Sequence, residues 1–400
     1  MTAGLSILMI THKPNFGASF RSFAMGSRLV KMGHHVTLMV VSQKNRVRFN
    51  EYDWEGVRTI ETPDLLWGRL RTGWDPWATC QRSRFLKTEN IHYDLIHCFE
   101  TRPGTIYPAL SLANRDNTPI FTDWNDWFGR HGLIDVNRPF WYPFFFGWIE
   151  THYEEAYRAK STGLTVISSY LGKRALDLGV DPQRICLIPG GTVPELFPVR
   201  SVRECREMHS VNLDDPILGF SSADSHLDME IIMAALKIVA KKFPRVKLII
   251  SGKVKKNVRN IANHIGVEQY IHFLGYLPYE ELPNTLGCAN IFLLPMADKP
   301  YNWGRWPNKM GDYMCMGRPT VANPIGDIKD LMEREEIGLL AGATPEDFAQ
   351  KIIFLLENPD IAEKLGQNAR QVAVEQFNWD ILVHRLLDFY QRLIPQKGEM

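Results

Sequence analysis

Leu5-Ser-Ile-Leu-Met-Ile10 is a short apolar run of the kind that forms a buried strand. A polar turn, Thr11–Ser19, separates it from Phe20–Met32, whose apolar residues recur with helical spacing up to Gly33. Val36–Val41 is a second apolar run. Strands that are apolar throughout, alternating with helices, are typical of a parallel sheet covered by helices on both faces. This stretch therefore predicts an α/β fold.

The same alternation continues in two series along the chain. The first predicts strands at 95–98, 120–122, 164–168 and 185–188, with helices over 104–114 and 142–160. The second predicts strands at 217–221, 246–251, 271–274, 291–294 and 320–322, with helices over 228–243, 345–356, 359–376 and 379–394. The charged stretch Arg200–Asp215 is interpreted as a linker. We expect two Rossmann-like domains of similar size, 1–199 and 200–378, with ligands at the carboxyl ends of the strands.

Composition excludes several classes of protein. Hydrophobic residues make up 45% of the 400 residues and charged residues 23%, as in a globular protein. The net charge of +1 gives no field that would favour nucleic acid. The start of the chain lacks a basic segment, so we expect no secretory signal. The six cysteines form no Cys-x-x-Cys pair, which indicates reduced thiols and a cytoplasmic location.

Two loops near strand ends are candidate ligand sites. Gly17 lies in the turn before the first helix, whose free N–H groups favour an anion, although such turns are also common without ligands. The second loop is Thr122-Asp-Trp-Asn125-Asp126-Trp-Phe128. Polar side chains among tryptophans fit a sugar, which needs both hydrogen bonds and aromatic stacking. The alternative is a polar loop with buried tryptophans.

The most informative segment is Trp306-Pro-Asn308-Lys309-Met-Gly-Asp312-Tyr-Met-Cys-Met-Gly317-Arg-Pro-Thr-Val-Ala322. It predicts a helix that Pro307 opens and Gly317 ends. A lysine in the first turn opposes the helix dipole unless an anion, such as a pyrophosphate, binds there. Asp312, one turn later, could accept hydrogen bonds from a ribose diol. An ordinary surface helix is the competing interpretation.

With these motifs in order, the chain resembles the retaining glycosyltransferases of the GT-B architecture, in particular family 4. The resemblance covers nearly the whole chain. It rests on the two loops above, on the 306–322 segment, and on Leu164–Ser169, Ile188–Gly191, Ser251-Gly252, Leu274–Pro278 and Phe377–Trp379. It implies two domains that face each other across a cleft and a helix, 379–395, that returns to the first domain.

The sequence departs from the family pattern at three places. The family's two glutamates fall here at Gly304 and Asp312, and its loop histidine is replaced by Asn125. The usual arginine and lysine after the first strand of the second domain are missing from Gly219-Phe-Ser-Ser-Ala-Asp-Ser-His-Leu-Asp228. These departures leave open a catalytically silent partner subunit. A nucleotide-sugar epimerase shares the fold and is the other alternative.

The resemblance implies transfer of a sugar from a UDP- or GDP-linked donor to an acceptor hydroxyl, with retention, without a metal and without a further cofactor. Lys309, helped by Arg305, would stabilise the leaving diphosphate, and Asn125 and Asp126 would orient sugar or acceptor. The remaining residues expected at the donor are Gly17, Ser251, Gly252, Tyr276, Leu277, Asn308 and Asp312. The acceptor would be a glycan, a lipid-linked sugar or a small molecule.

Residues 138–149 (Arg-Pro-Phe-Trp-Tyr-Pro-Phe-Phe-Phe-Gly-Trp-Ile) contain the longest apolar run, which is too short to span a bilayer. The rings either fill the core beneath the following helix or lie exposed. Exposed rings would bind a membrane surface or a lipid-linked acceptor, mainly by hydrophobic contact because basic residues nearby are few. In that case the protein would be peripheral at the inner face of the plasma membrane.

Overall fold

The structure is a computed structural model that describes residues 4–14, 20–66, 72–89, 91–198, 200–209, 212–221, 229–254 and 256–394. The chain forms two compact units. One comprises Met1–Pro189, Gly304–Trp306 and Trp379–Met400, and the other Gly190–Trp303 and Pro307–Asn378. The division falls ten residues before the boundary expected from the sequence. Residues 304–306, which end at the first residue of the 306–322 segment, belong to the first unit.

The first unit is built on an eight-stranded sheet. Its strands are β1 (Ser6–Thr11), β2 (His35–Val41), β3 (Asn50–Trp54), β4 (Val57–Thr62), β5 (Leu95–Phe99), β6 (Ile120–Trp124), β7 (Gly163–Val166) and β8 (Ile185–Leu187). They are arranged in the order β3-β4-β2-β1-β5-β6-β7-β8, and every pair is parallel except β3 with β4. The hairpin of β3 and β4 is an element that the sequence analysis did not predict.

In the described part of the chain, six helices lie between the strands of this sheet. They are α1 (Arg21–Lys31), α2 (Pro76–Thr88), α3 (Pro103–Asp116), α4 (Leu133–Asn137), α5 (Trp141–Lys160) and α6 (Ser169–Asp177). Ile7, Leu8, Met9 and Ile10 of β1 are all fully buried, as expected for a strand covered on both faces. The strand order reverses between β1 and β5, and such switch points are where ligands bind in open α/β sheets.

The second unit contains a six-stranded parallel sheet. Its strands are β9 (Ile217–Ser221), β10 (Lys247–Ser251), β11 (Ile271–Gly275), β12 (Ile291–Leu294), β13 (Thr320–Ala322) and β14 (Gly338–Leu340), in the order β11-β10-β9-β12-β13-β14. Its helices are α7 (Val202–Met208), α8 (Met229–Lys242), α9 (Lys256–Ile265), α10 (Leu282–Leu286), α11 (Pro300–Trp303), α12 (Lys309–Cys315), α13 (Gly326–Glu335), α14 (Pro345–Glu357) and α15 (Pro359–Gln376).

The interpretation of Arg200–Asp215 as a linker is wrong, because this segment contains α7. Ser201 and Glu204 form a capping box at its start, a signal already present in the sequence. Arg206 is buried and donates hydrogen bonds to the Cys288 carbonyl (3.1 Å) and to Asn290 Oδ1 (2.7 Å). The segment is therefore part of the body of the second unit.

The last helix, α16 (Trp379–Leu393), packs on the first unit, as the resemblance implied. Tyr390 is buried, its hydroxyl lies 2.5 Å from His97 Nδ1, and its ring lies 4.9 Å from that of Phe121. Arg28 of α1 pairs with Asp380 at 3.3 Å. Two parallel-sheet α/β units with this returning helix constitute the GT-B architecture.

Candidate functional site

In the first unit, the loops after β1, β5 and β6 lie side by side. Thr11 is in register with Phe99, and Phe99 with Asp123. The residues that follow these positions therefore meet at one edge of the sheet. They include Lys13, Glu100 and the predicted pair Asn125 and Asp126 (half-buried).

Asp123 anchors this edge and is fully engaged. Arg21 Nε lies 3.1 and 3.0 Å from its two carboxylate oxygens, and Arg21 Nη2 lies 2.9 Å from Oδ1. Thr165 donates a further hydrogen bond at 2.5 Å. Burial raises the pKa of Asp123, but the charge and hydrogen bonds of Arg21 outweigh it and hold the pKa below its ordinary value. Asp123 is thus a structural member of the loop.

The loop that carries Asn125 and Asp126 is folded around the carboxylate of Glu154. Glu154 lies on α5 and accepts hydrogen bonds from Trp124 Nε1 (2.9 Å), from the N–H of Phe128 (2.7 Å) and from the N–H of Gly129 (2.6 Å). A buried carboxylate satisfied by three donors fixes the backbone that supplies two of them. Helix α5 therefore fixes the position of the loop backbone that carries Asn125 and Asp126.

Asn125 and Asp126 meet different surroundings. Asn125 Oδ1 is buried and accepts no hydrogen bond from any residue that the structure describes. Burial raises the pKa of Asp126, and the positive charges of Lys13 and Arg305 oppose that rise. Arg305, which we expected to help Lys309, thus acts electrostatically on Asp126 within the first unit. An unused amide oxygen beside a carboxyl of altered pKa can bind sugar hydroxyls.

Glu100 is a site residue that the sequence analysis missed. It follows β5, is buried, and has a φ of 74° in the left-handed region that non-glycine residues rarely adopt. Its Oε2 accepts from Arg158 at 3.3 Å, while Oε1 has no hydrogen-bond partner within the described ranges. Burial raises its pKa to about 7, and Arg158, Lys13 and Arg102 act in the opposite direction. Backbone strain at a buried, half-satisfied carboxyl points to a functional role.

The signal that could have identified Glu100 was its position. It directly follows a buried strand, as Asn125 and Asp126 nearly do, and carboxyl ends of neighbouring parallel strands share one edge. Lys13, within the Thr11–Ser19 segment, was likewise given no role. Its Nζ lies 5.7 Å from the centre of the Phe128 ring, and the guanidinium of Arg102 lies 5.0 Å from the same ring. Two cations therefore lie near the Phe128 ring at this edge.

In the second unit, α12 brings Lys309 and Asp312 together. The helix begins at Lys309, two residues later than predicted, and Gly317, with a φ of 65°, follows its end. Lys309 Nζ lies 4.0 Å from the centre of the Phe220 ring. Tyr279 donates a hydrogen bond to Asp312 Oδ1 at 2.7 Å. Burial raises the pKa of Asp312 to about 7, against the effects of Tyr279 and Lys309.

Four further predicted residues lie at the end of β10 and directly after β10 and β11. Ser251 is buried, and no described residue hydrogen-bonds its Oγ. The N–H of Gly252 donates to the Gly275 carbonyl at 2.6 Å, and both glycines have a positive φ, 110° and 72°. Tyr276 is exposed and Leu277 half-buried. These neighbouring turns bring backbone groups and one unused hydroxyl to the edge of the second sheet.

Other predicted positions are not joined to these groups. Gly17 and residues 222–228 lie outside the described residues. Asn308 is exposed at the start of α12, where its side chain makes no capping hydrogen bond. Within the part of the chain that the structure describes, no group of three or more His, Cys, Asp or Glu residues could hold a metal ion.

Comparison with known families matches both halves of the chain. A family model described as Glycosyltransferase Family 4 matches residues 17–196, and one described as Glycosyl transferases group 1 matches residues 216–358. The first region contains Glu100, Asn125 and Asp126, and the second contains Ser251, Lys309 and Asp312. Each matched region therefore includes one of the two polar clusters.

Curated relatives are distant. An MMP α-(1→4)-mannosyltransferase of Mycolicibacterium hassiacum is 22% identical over 236 residues, which are 58% of this chain and 54% of the relative. A GDP-mannose-dependent α-(1-6)-phosphatidylinositol monomannoside mannosyltransferase of Mycobacterium tuberculosis is 23% identical over 235 residues, 56% of this chain and 60% of the relative. The chain thus spans little more than half the length of the curated relatives it matches.

Solved structures share the fold over nearly the whole chain. A sucrose-phosphate synthase of Thermosynechococcus elongatus superposes with a TM-score of 0.75 at 18% identity, covering 97% of this chain and 99% of that one. Anabaena HepE, solved in complex with UDP and glucose, gives a TM-score of 0.73 at 14% identity, covering 97% and 100%. At this level of identity the likeness establishes the architecture.

Proposed function

The chain belongs to the group 1 glycosyltransferases of family 4, and from this premise we propose that it transfers a sugar from a nucleoside-diphosphate sugar to an acceptor hydroxyl, with retention and without a metal. The observation that carries the proposal is the pair on α12. A lysine and a carboxyl one helical turn apart, at the edge of a parallel sheet, match the two polar parts of a nucleotide, its diphosphate and its ribose.

The donor would be held by the second unit. Lys309 would pair with the diphosphate, Asp312 would bind the ribose hydroxyls, and the turn Gly275–Leu277 would contact the base. Asn308, Ser251 and Gly252 would complete the contacts, with Ser251 Oγ available as a donor to phosphate. HepE was solved with UDP, and the relative from Mycobacterium tuberculosis is named for GDP-mannose. Donors with uridine and with guanosine are therefore the two to test.

The acceptor would be held by the first unit. Asn125 Oδ1 and the carboxyls of Asp126 and Glu100 offer hydrogen-bond acceptors with few internal partners. A carboxyl with a pKa near 7 both donates and accepts hydrogen bonds at neutral pH, which suits a hydroxyl group. A glycan, a lipid-linked sugar or a small hydroxyl compound could bind through such contacts.

The reaction breaks the bond between the anomeric carbon and the diphosphate oxygen and forms a bond from that carbon to the acceptor oxygen on the same face. The acceptor proton passes to the departing phosphate oxygen. The negative charge that develops on the diphosphate would be stabilised by the ammonium group of Lys309. This account needs no metal, since a fixed cation supplies the charge.

Two alternatives make different predictions. A catalytically silent partner subunit would bind nucleotide without turnover. The departures from the family pattern at Gly304, at Asn125 and in residues 222–228 keep this alternative open. An epimerase would release an isomer of the free sugar. The comparisons favour neither alternative over a transferase.

The proposal is tested in two steps. A thermal-shift panel of UDP, GDP, ADP and their sugar conjugates identifies the donor, because a ligand at 100 times its dissociation constant adds about 2.7 kcal/mol of stability. The donor that stabilises the protein is then incubated with candidate acceptors, and the products are analysed by mass spectrometry and NMR. A glycosylated acceptor with the donor's anomeric configuration supports the proposal. Inversion, a free sugar isomer or binding without turnover contradicts it.

A further inference from the structure

The start of α5 presents an unusual apolar surface. Phe140, Trp141, Phe144, Phe145 and Trp148 are spaced i, i+1, i+4, i+5 and i+8, which places them on one side of a helix. We call this set the aromatic face. Phe140 is 92% exposed, Phe144 75%, Trp148 59% and Phe145 58%. Among the described residues, Phe140 and Phe144 are the most exposed large apolar side chains, so the interpretation that these rings fill the core is wrong.

The rest of the same helix is firmly anchored. Gly147, Glu150, Glu154 and Arg158 are buried, and Arg158 donates to Thr101 Oγ1 at 2.9 Å. A Cβ atom at position 147 would meet Arg130 Cγ at 3.0 Å, so this glycine permits close packing. The exposed rings therefore project from a fixed element of the first unit. Their exposure does not result from a loosely held segment.

Two arginines flank the aromatic face, and the exposed carboxylate of Asp135 on α4 accepts a hydrogen bond from the N–H of His131 at 2.8 Å. The guanidinium of Arg138 lies 5.5 Å from the centre of the Tyr142 ring on one flank, and the side chain of Arg130 lies against Gly147 on the other. The acidic groups of the helix are neutralised or satisfied. Glu150 lies 3.7 Å from Arg102, Glu155 pairs with Arg174, and Glu154 accepts the three hydrogen bonds already described.

We propose that the aromatic face binds the surface of an anionic lipid bilayer, with its rings in the interface and the two arginines at the level of the headgroups. Tryptophan and phenylalanine on a helix with basic flanks are the side chains that favour this environment. Exposed apolar patches of this kind mark contact surfaces, and positive flanks match a negative surface. No helix within the described ranges is long and apolar enough to cross a membrane.

The proposal goes beyond the transfer reaction and does not depend on it. A link between the two is nevertheless built into α5. The helix carries the aromatic face at its start and, two turns later, Glu154, which holds the loop of Asn125 and Asp126. Binding through the aromatic face would bring the proposed acceptor groups to a membrane, where a lipid-linked acceptor is found.

The test is sedimentation with vesicles of phosphatidylcholine, with and without phosphatidylglycerol. The triple variant Phe140→Ser, Phe144→Ser, Phe145→Ser removes three rings from the face. We expect the partition coefficient of the variant between vesicles and water to fall by about tenfold or more, because the loss of a single buried ring already lowers it by about tenfold. A matched control replaces three exposed apolar residues elsewhere, Leu176, Phe354 and Ile361, by Ser. The control should bind vesicles like the wild type.

The electrostatic part is tested separately. Arg130→Gln with Arg138→Gln should lower binding to anionic vesicles by about fivefold for each arginine, and should leave binding to neutral vesicles unchanged. If the triple variant fails to fold, Phe140→Ser alone keeps the test valid, because that side chain is almost fully exposed.

Three outcomes would overturn the proposal. Wild-type protein that does not sediment with anionic vesicles removes the membrane as the partner, as does a triple variant that binds undiminished. Light scattering that finds a wild-type dimer, a monomeric triple variant and no vesicle binding would assign the face to a second copy of the chain. Because none of these measurements requires catalysis, the inference can fail while the proposed function stands, and the reverse also holds.

Discussion

The polar edges of the two sheets are built differently. At the edge of the first sheet, buried charges pair with one another: Arg21 with Asp123, Arg158 with Glu100 and Arg102 with Glu150. At the edge of the second sheet, Asp312 is bonded to a neutral tyrosine and Lys309 lies over a phenylalanine ring. In the second unit, the ion pairs Arg203 with Glu207 and Lys242 with Glu357 lie at exposed positions.

This difference indicates how each edge would receive its ligand. In a network of buried ion pairs, the side chains are held in place before a ligand binds. Removing one partner of such a pair leaves a buried charge without its counter-ion and strongly destabilises the fold. The Ser251 hydroxyl accepts or donates no hydrogen bond within the described residues, so it can turn to a diphosphate at little internal cost. We therefore expect substitutions at the first edge to affect folding, and substitutions at the second edge to affect ligand binding.

The largest expected effect is on stability. Asp123→Ala leaves the buried Arg21 without its counter-ion and should lower the free energy of unfolding by about 3–5 kcal/mol, as measured by urea denaturation. Arg203→Ala breaks an exposed pair and is the control, with an expected loss well below about 1 kcal/mol. Equal losses in the two variants would show that the buried network does not hold the first edge.

The next effect concerns catalysis at the second edge. Lys309→Ala should cut turnover by roughly 10²-fold or more, because it removes the fixed charge that stabilises the leaving diphosphate, while the melting temperature changes little. Lys329→Ala, an exposed lysine on α13, is the matched control. Near wild-type turnover in Lys309→Ala would take this residue out of the mechanism.

A smaller effect is expected at Glu100. Glu100→Gln keeps the shape of the side chain but removes its ability to exchange a proton, and should lower kcat/KM for the acceptor by roughly tenfold, the scale of one hydrogen bond to a charged group. The KM for the donor should not change. Asp177→Asn, at an exposed position on α6, serves as the control. A change confined to the donor KM would contradict an acceptor-side role.

Glu100 also predicts a pH dependence of stability. Its pKa rises from 4.5 to about 7 on folding, so its stabilising contribution is full below 4.5 and is lost as the pH rises through 7. The melting temperature of Glu100→Gln, compared with the wild type, should therefore become relatively higher across this window. Asp312→Asn should behave in the same way, because burial also raises the pKa of Asp312 to about 7. A difference that does not vary with pH would contradict both shifts.

The smallest expected effect is that of chelation. Activity should survive EDTA, because the proposed mechanism stabilises the leaving group with Lys309. Asp123, which could be mistaken for a metal ligand beside Asn125 and Asp126, has its carboxylate occupied by Arg21. Complete loss of activity on chelation, with recovery on addition of Mn²⁺, would replace this account with a metal-dependent one.

Local patterns were sufficient for most elements of the fold. The strands at 217–221, 291–294 and 320–322 and the helix at 359–376 have the predicted bounds, because apolar runs and Pro or Gly punctuation mark them directly. The hairpin of β3 and β4 escaped notice because its outer strand is mostly exposed and lacks an apolar run. Helix α7 was missed although its capping box is written in the sequence, since its charged residues resemble a linker.

The sequence by itself determined the alternation of strands and helices, the fold class, and the grouping of Lys309 with Asp312, because each depends on residues within one or two helical turns. Tertiary structure alone decided the rest. Arg21 meets Asp123 and Arg158 meets Glu100 only because parallel strands bring distant loops to one edge. Burial raises the pKa of Glu100. The aromatic rings in residues 140–148 are exposed to solvent, although their sequence also allowed a place in the core. Proximity and solvent access are properties of the folded chain, and no local pattern encodes them.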